Sequence, residues 1–93
     1  MRVRIGKRSW SVEFVRAHDL QSRGNWGECD YPTARAPKVT VRRGLPPRQL
    51  LEVTLHELLH ASRPELSEEA VTETAQVLAR TIFRLGARIT PPE

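Results

Sequence analysis

The residues that most constrain this chain are two histidines four positions apart, His56 and His60, with Glu57 directly after the first. They lie in an apolar run typical of a helix, and residues four apart on a helix project from the same face. Both imidazoles can therefore reach one point, which suits a tetrahedral Zn²⁺. Glu57 lies about 100° further round the helix, so its carboxylate can serve as general base towards a metal-bound water without ligating the metal. The pattern predicts two ligands of a metal site and a general base beside it.

The composition predicts one small globular domain over residues 1–93. The chain is 39% hydrophobic and 28% charged, and a chain of this length holds a single modest core. No apolar run approaches the roughly 20 residues that span a bilayer, and the basic N-terminus lacks the apolar stretch of a secretory signal. The one cysteine, Cys29, cannot form an internal disulfide. We therefore expect a cytoplasmic protein with no membrane partner.

Positive charge is concentrated in the first half of the chain. Residues 1–48 hold eleven Lys and Arg against four Asp and Glu, whereas residues 49–93 hold four against seven. A basic half is the electrostatic signature of a nucleic-acid binder. The sequence has no helix-turn-helix pattern, zinc-finger spacing or aromatic stacking platform, so we favour a solvated basic face over nucleic-acid contact.

The pattern of apolar residues predicts an α+β fold, with a twisted sheet of three to four strands before two helices. Alternating residues indicate strands at 2–5, 9–14, 26–31 and 38–42, the last of them at a sheet edge. The β-rich part covers 1–44, the active-site helix 46–62, the second helix 67–86 with Ser67 as its N-cap, and a frayed tail 87–93. The second helix is expected to bury an arc centred near Thr74, Leu78 and Leu85. The aromatic side chains expected in the core are Trp10, Phe14 and Trp26.

The third metal ligand is suggested by a family resemblance. Glu69-Ala70-Val71-Thr72-Glu73 is similar to the Glu-x-x-x-Asp element of the gluzincins, the thermolysin-like zinc peptidases. The resemblance implies that Glu69 ligates the metal and that Glu73, a Glu where the family has Asp, holds a ligand histidine from behind. Glu68 is the alternative ligand, because it lies nearer the apolar arc.

The wider arrangement resembles the small predicted metallopeptidases encoded by tailed phages and prophages, which are similar to minimal gluzincins. The resemblance covers roughly residues 38–85, with its most specific parts at 54–61 and 66–71. It implies a zincin-like domain with a Zn²⁺ cofactor and a peptide or protein substrate. Outside it, Tyr31 could stabilise an oxyanion but is expected to pack beside Pro32. His18 is expected at the surface or core edge, and Cys29 as a small buried side chain.

The predicted function is peptide-bond hydrolysis by a zinc-dependent metallopeptidase. In it His56, His60 and Glu69 hold Zn²⁺ and Glu57 is the catalytic base. The alternative is a non-catalytic module in which zinc staples the two helices and the basic front binds nucleic acid or a protein. A third interpretation keeps the protease but restricts it to one phage or host protein. The sequence predicts neither the cleavage specificity nor the oligomeric state.

Overall fold

A computed structural model describes residues 1–20 and 25–91, in which one four-stranded sheet lies beside two helices. The strands are β1 (Arg2–Ile5), β2 (Arg8–Val15), β3 (Gly27–Cys29) and β4 (Lys38–Arg42). The helices are α1 (Pro47–Ser62) and α2 (Glu68–Arg84), and a short 3-10 turn covers Ala17–Asp19. The predicted α+β order is confirmed. Residues 87–91 are neither helix nor strand, and the last two residues of the predicted frayed tail lie outside the described residues.

The sheet is mixed, with the strand order β1-β2-β4-β3. β1 runs antiparallel to β2, β2 parallel to β4, and β3 antiparallel to β4. The prediction that residues 38–42 form a sheet edge is wrong, because β4 has a hydrogen-bonded strand on each side. Its three central residues, Val39, Thr40 and Val41, are all buried. The strand at the edge beside α1 is β3.

The core lies between the sheet and α1. Trp10, Val12, Val39 and Val41 from the sheet pack in one cluster with Leu50 and Ala61 of α1. Trp10 is only 2% exposed, so its predicted place in the core is confirmed, and Phe14 packs half-buried against the same cluster. The same prediction for Trp26 is wrong, because Trp26 lies just before the short edge strand and is 46% exposed.

Helix α2 is rotated from the orientation that its large apolar residues predict. Its N-cap is confirmed, since Ser67 Oγ accepts a hydrogen bond from the Ala70 N–H at 3.1 Å. Its buried residues, however, are Val71, Ala75 and Ala79. The predicted buried arc is therefore wrong by roughly a quarter of a turn. Three large apolar residues on α2 and just beyond it are exposed instead: Val77 (57%), Leu78 (40%) and Leu85 (80%). Alanines at the contact let the two helix backbones approach closely, which larger side chains would prevent.

The rotation of α2 decides which acid faces α1. Glu68 lies seven residues before Ala75, almost two full helical turns, so the two residues share one side of the helix. That side packs against α1, the helix that carries the two histidines. None of the helices in the described part of the chain is long and apolar enough to cross a lipid bilayer.

Candidate metal centre

Three side chains from the two helices converge where α1 ends and α2 begins. Nε2 of His56 lies 2.8 Å from Oε1 of Glu68, and Nε2 of His60 lies 2.9 Å from Oε2 of the same carboxylate. The two Nε2 atoms are 3.2 Å apart, and the imidazole planes meet at 71°. Within residues 1–20 and 25–91, this is the one group of three His, Cys, Asp or Glu side chains gathered closely enough to share an ion.

No placement of protons on the two imidazoles makes all three short contacts favourable: His56 to Glu68, His60 to Glu68, and His56 to His60. If both histidines donate an Nε2–H to Glu68, their Nε2 atoms face each other as two donors. If one histidine donates to the other, the acceptor has no Nε2 proton left for Glu68. A cation among the three groups is attracted to both nitrogen lone pairs and to the carboxylate at once.

The distances also fit Zn²⁺. Its bonds to imidazole nitrogen measure about 2.0–2.1 Å in tetrahedral geometry, which puts two ligand nitrogens about 3.3 Å apart. The observed separation of the two Nε2 atoms is 3.2 Å. Two imidazoles and one carboxylate form a donor set that zinc commonly takes in catalytic sites, where a further coordination position stays open.

The two acids singled out by the family resemblance are not brought to the histidines. Glu69 is exposed in the first turn of α2, and the close group contains Glu68, the alternative ligand, in its place. Glu73 is exposed and lines a shallow groove with Thr74 and Val77 on the outward side of α2. In the described residues it makes no hydrogen bond to either histidine. The signal that could have identified Glu68 is its spacing to Ala75 and Ala79, the small residues of the helix contact.

Glu57 belongs to α1, and its side chain lies against the edge strand β3. It is 9% exposed, and its side chain runs against the backbone of Gly27. Burial, reinforced by the negative charges of Glu68 and Glu28, raises the pKa of Glu57 from an ordinary 4.5 to about 7. A carboxyl group with a pKa near neutrality can both take and give a proton at the pH of the cell.

Two grooves share Glu57 as a lining residue, one of them beside His56 and the other beside His60. One, of about 420 Å³, is lined by residues that include Trp26, His56, Glu57 and Glu68. The other, of about 350 Å³, is lined by Cys29, Asp30, Tyr31, Pro32, Glu57, His60 and Pro64. Because Glu57 lines both grooves, a ligand that reached from one groove to the other would pass the Glu57 carboxyl.

Of the other residues that the sequence singled out, Tyr31 and Cys29 line the second groove and His18 lies elsewhere. Tyr31 is 83% exposed and lines the second groove near His60. Cys29 is a half-buried free thiol, and burial, with the charges of Glu57 and Asp30, raises the pKa of its thiol to about 12. His18 is exposed, and its Nε2 lies 3.4 Å from Oδ1 of Asp19, away from the metal ligands.

Arg8 anchors the loop that borders the second groove, a role that no local sequence pattern indicates. Its guanidinium donates to the carbonyl oxygens of Pro32, Ala34 (2.6 Å) and Arg35 (3.1 Å). These carbonyls belong to the loop that follows Tyr31, so Arg8 fastens that loop to the start of β2. No local motif predicts this contact, because Arg8 and the carbonyls that it binds are more than twenty positions apart in the chain.

A comparison of the chain with protein-family models, with curated proteins and with solved structures finds no match.

Proposed function

We propose that the protein is a zinc-dependent metallopeptidase in which His56, His60 and Glu68 hold the metal and Glu57 is the general base. The observation that carries the proposal is the convergence of three metal-binding groups beside a buried carboxyl of raised pKa. This arrangement resembles a minimal gluzincin, the family suggested by the sequence, with the glutamate ligand one position earlier in the chain. The lone free thiol of Cys29 suits a reducing compartment, so we place the activity in the cytoplasm.

The residues of the site divide the chemistry between them. When bound, Zn²⁺ supplies the Lewis acidity that polarises a peptide carbonyl and eases the ionisation of a water molecule. Glu57 takes a proton from the attacking water and passes it to the amine nitrogen that leaves. In the metal-free protein its pKa is about 7, and a bound cation nearby would lower that pKa and favour the carboxylate that accepts the proton. His56 and His60 aim their Nε2 atoms at one point because they lie one helical turn apart.

The free edge of β3 supports a peptide as the substrate. The N–H of Arg42 donates to the carbonyl of Trp26 at 2.8 Å, and the N–H of Asp30 donates to the carbonyl of Lys38 at 3.0 Å. In an antiparallel pair the hydrogen-bonded positions recur at every second residue. The backbone groups of Gly27 and Cys29 therefore point away from β4, towards the edge where no strand of the described residues pairs.

An extended peptide could add to that edge as a further strand. Such a peptide would run past Glu57, because the Gly27 backbone lies directly against the Glu57 side chain. Residues 38–42, which the sequence predicts at a sheet edge, cannot pair with a peptide in this way because β4 has a strand on each side. The grooves beside Glu57 are open and shallow, which favours an extended segment of a protein over a small enclosed ligand.

The proposal is tested by comparing zinc-loaded wild-type protein with Glu57→Gln on a library of fluorescence-quenched peptides. The substitution keeps the shape of the side chain but removes the proton acceptor, so we expect unchanged zinc content and a loss of cleavage of at least about 100-fold. Glu13→Gln, the same change on β2, serves as the matched control and should cleave like wild type. Cleavage by Glu57→Gln at the wild-type rate would remove Glu57 from the mechanism. Zinc binding without cleavage by wild type would favour the non-catalytic module.

A further inference from the structure

We infer that the outward side of α2 is a self-association surface, on which the second helices of two copies of this chain pair antiparallel. Glu69 and Glu73, the acids that the sequence singled out, lie on this side of the helix and not at the metal centre. The inference does not rest on the proposed peptidase activity.

The charges on this surface are segregated by sign along the helix. Glu69 and Glu73 are exposed in its first half, and Arg80 and Arg84 are exposed in its second half. Within each pair the like charges lie one turn apart, about 6 Å along the axis, which destabilises an isolated helix. In the described part of the chain, none of the four side chains makes an ion pair. Residues 1–20 and 25–91 therefore leave these charges without an ion-pair partner.

The helix dipole explains the position of the outer two charges, Glu69 and Arg84, but not that of the inner two. Acids at the N-terminus and bases at the C-terminus of a helix are favourable, but the effect falls off within the first and last turns. Glu69 and Arg84 lie in those terminal turns, whereas Glu73 and Arg80 lie further in. The helix dipole therefore does not account for the placement of the inner pair.

A second copy supplies ion-pair partners in one register. The two acids and the two arginines are placed symmetrically about the middle of α2, so antiparallel pairing brings Glu73 opposite Arg80 of the second copy. The same register brings Glu69 opposite Arg84. Twofold symmetry repeats each contact, giving two of each pair in the dimer. Parallel pairing would instead bring like charges together.

The centre of the surface is apolar and can be approached closely. Val77, 57% exposed, lies between the acidic and basic halves. A groove of about 330 Å³ beside it is lined by Glu73, Thr74, Val77 and Leu78 and is placed to receive Val77 of the second copy. Ala70 and Thr81 continue the same side of the helix with small side chains, so two helices can come near each other.

The expected dimer is weak and leaves the metal centre free. A helix of 17 residues measures about 25 Å, so one helix pair buries a small area of the kind found in transient complexes. Glu68 faces α1, on the opposite side of α2 from Val77. Both metal centres of the dimer therefore stay open, and the association should weaken as salt screens the charges.

The test is sedimentation equilibrium of the 93-residue chain at low and high salt, with Glu73→Arg, Arg80→Glu and the double variant. Each single substitution sets two like charges opposite each other, so we expect the association constant to fall by at least about tenfold. The double variant restores opposite charges and should return to within about threefold of wild type. Arg4→Glu, a charge reversal on β1, is the control and should associate like wild type.

Mixing the two single variants gives a result that misfolding cannot imitate. In a mixed dimer, every changed side chain meets an opposite charge, so the mixture should associate more tightly than either variant alone. The inference is overturned if wild type stays monomeric up to about 1 mM, a concentration at which weak complexes form. It is also overturned if the double variant or the mixture is as weak as the single variants.

Discussion

A β-carbon added to Gly27 would lie 2.9 Å from Cγ of Glu57 and 2.8 Å from Cγ1 of Val53, closer than non-bonded carbon atoms come. The edge strand β3 can therefore approach α1 this closely only because residue 27 has no side chain. The carboxyl of Glu57 is held in a narrow slot between α1 and the backbone of β3.

Gly27→Ala should separate metal binding from catalysis. The added methyl group must displace Glu57 or push β3 outwards, so we expect the free energy of unfolding to fall by about 1–3 kcal/mol. Peptide cleavage should be largely lost while zinc content stays at the wild-type level, because residue 27 does not touch the ligands. Urea denaturation, turnover and metal analysis measure the three quantities.

A second variant distinguishes a positional effect from a general loss of stability. Gly27→Ala combined with Val53→Ala relieves one of the two clashes, so part of the stability should return. Cleavage should remain low, because the contact with Glu57 persists. Full activity in either variant would show that the slot does not fix the position of the base.

Glu68→Ala and Glu69→Ala form a matched pair for the third ligand. Removing Glu68 deletes a carboxylate that faces both histidines, and we expect zinc affinity to fall by at least about 100-fold, by comparison with the 10–100-fold lost when only supporting partners of a ligand are removed. Removing Glu69, an exposed neighbour, should change the affinity by no more than about threefold. Competition with a chromophoric chelator gives both values. The reverse order would return the ligand to Glu69.

Zinc should raise the thermal stability of the folded chain. A metal that binds only the native state adds about 4 kcal/mol of stability when its free concentration is about 1,000 times its Kd. We therefore expect a higher Tm in buffered zinc than in chelator, measured by scanning calorimetry. His56→Ala/His60→Ala should abolish the difference, and a Tm that responds to zinc in that variant would indicate binding elsewhere.

Cys29 should react slowly with alkylating reagents in the metal-free protein. Burial, followed by the charges of Glu57 and Asp30, raises the pKa of its thiol from 9.0 to about 12, and only the thiolate attacks. The thiolate fraction at neutral pH is then about 1,000-fold below that of an exposed thiol. We expect the rate of modification by iodoacetamide to rise about tenfold per pH unit up to pH 11. A rate equal to that of the unfolded chain at pH 7.5 would contradict the burial.

The same shift gives a pH dependence of stability with a definite sign. Above pH 9.0, the ordinary thiol pKa, the unfolded chain releases the Cys29 proton while the folded chain keeps it. The contribution of this group to stability is therefore complete below pH 9 and is lost as the pH rises towards about 12. Urea midpoints of wild type minus those of Cys29→Ala isolate this contribution from the other groups that titrate there.

The parts of the site that depend on local geometry could be predicted from the sequence. The helical period alone places His56 above His60, and Ser67 caps α2 through a bond to a residue three positions away. The choice between Glu68 and Glu69 could not be read locally, because it depends on how α2 is rotated against α1. That rotation is set by close packing at Ala75 and Ala79, whereas the larger apolar residues suggested another face.

The position of each strand in the sheet could not be predicted for a similar reason. An alternating strand such as β4 looks the same at an edge as in the middle of a sheet, and only its pairing with both β2 and β3 decides. The role of Gly27 depends on the approach of β3 to α1 across thirty positions of the chain. Such long-range contacts leave no pattern in a single sequence.

The three proposed ligands lie within residues 56–68, on two helices joined by the short segment 63–67. Contacts between residues so close in the chain form early in folding, because little loop-closure entropy opposes them. The slot for Glu57 forms later, since it needs β3 from the other half of the chain. We therefore expect a full-length chain refolding from denaturant to bring the three proposed ligands together on the helical hairpin first, and to place the Glu57 carboxyl only when the sheet packs on α1. Such an order would let a partly folded chain bind a metal ion before Glu57 is in position.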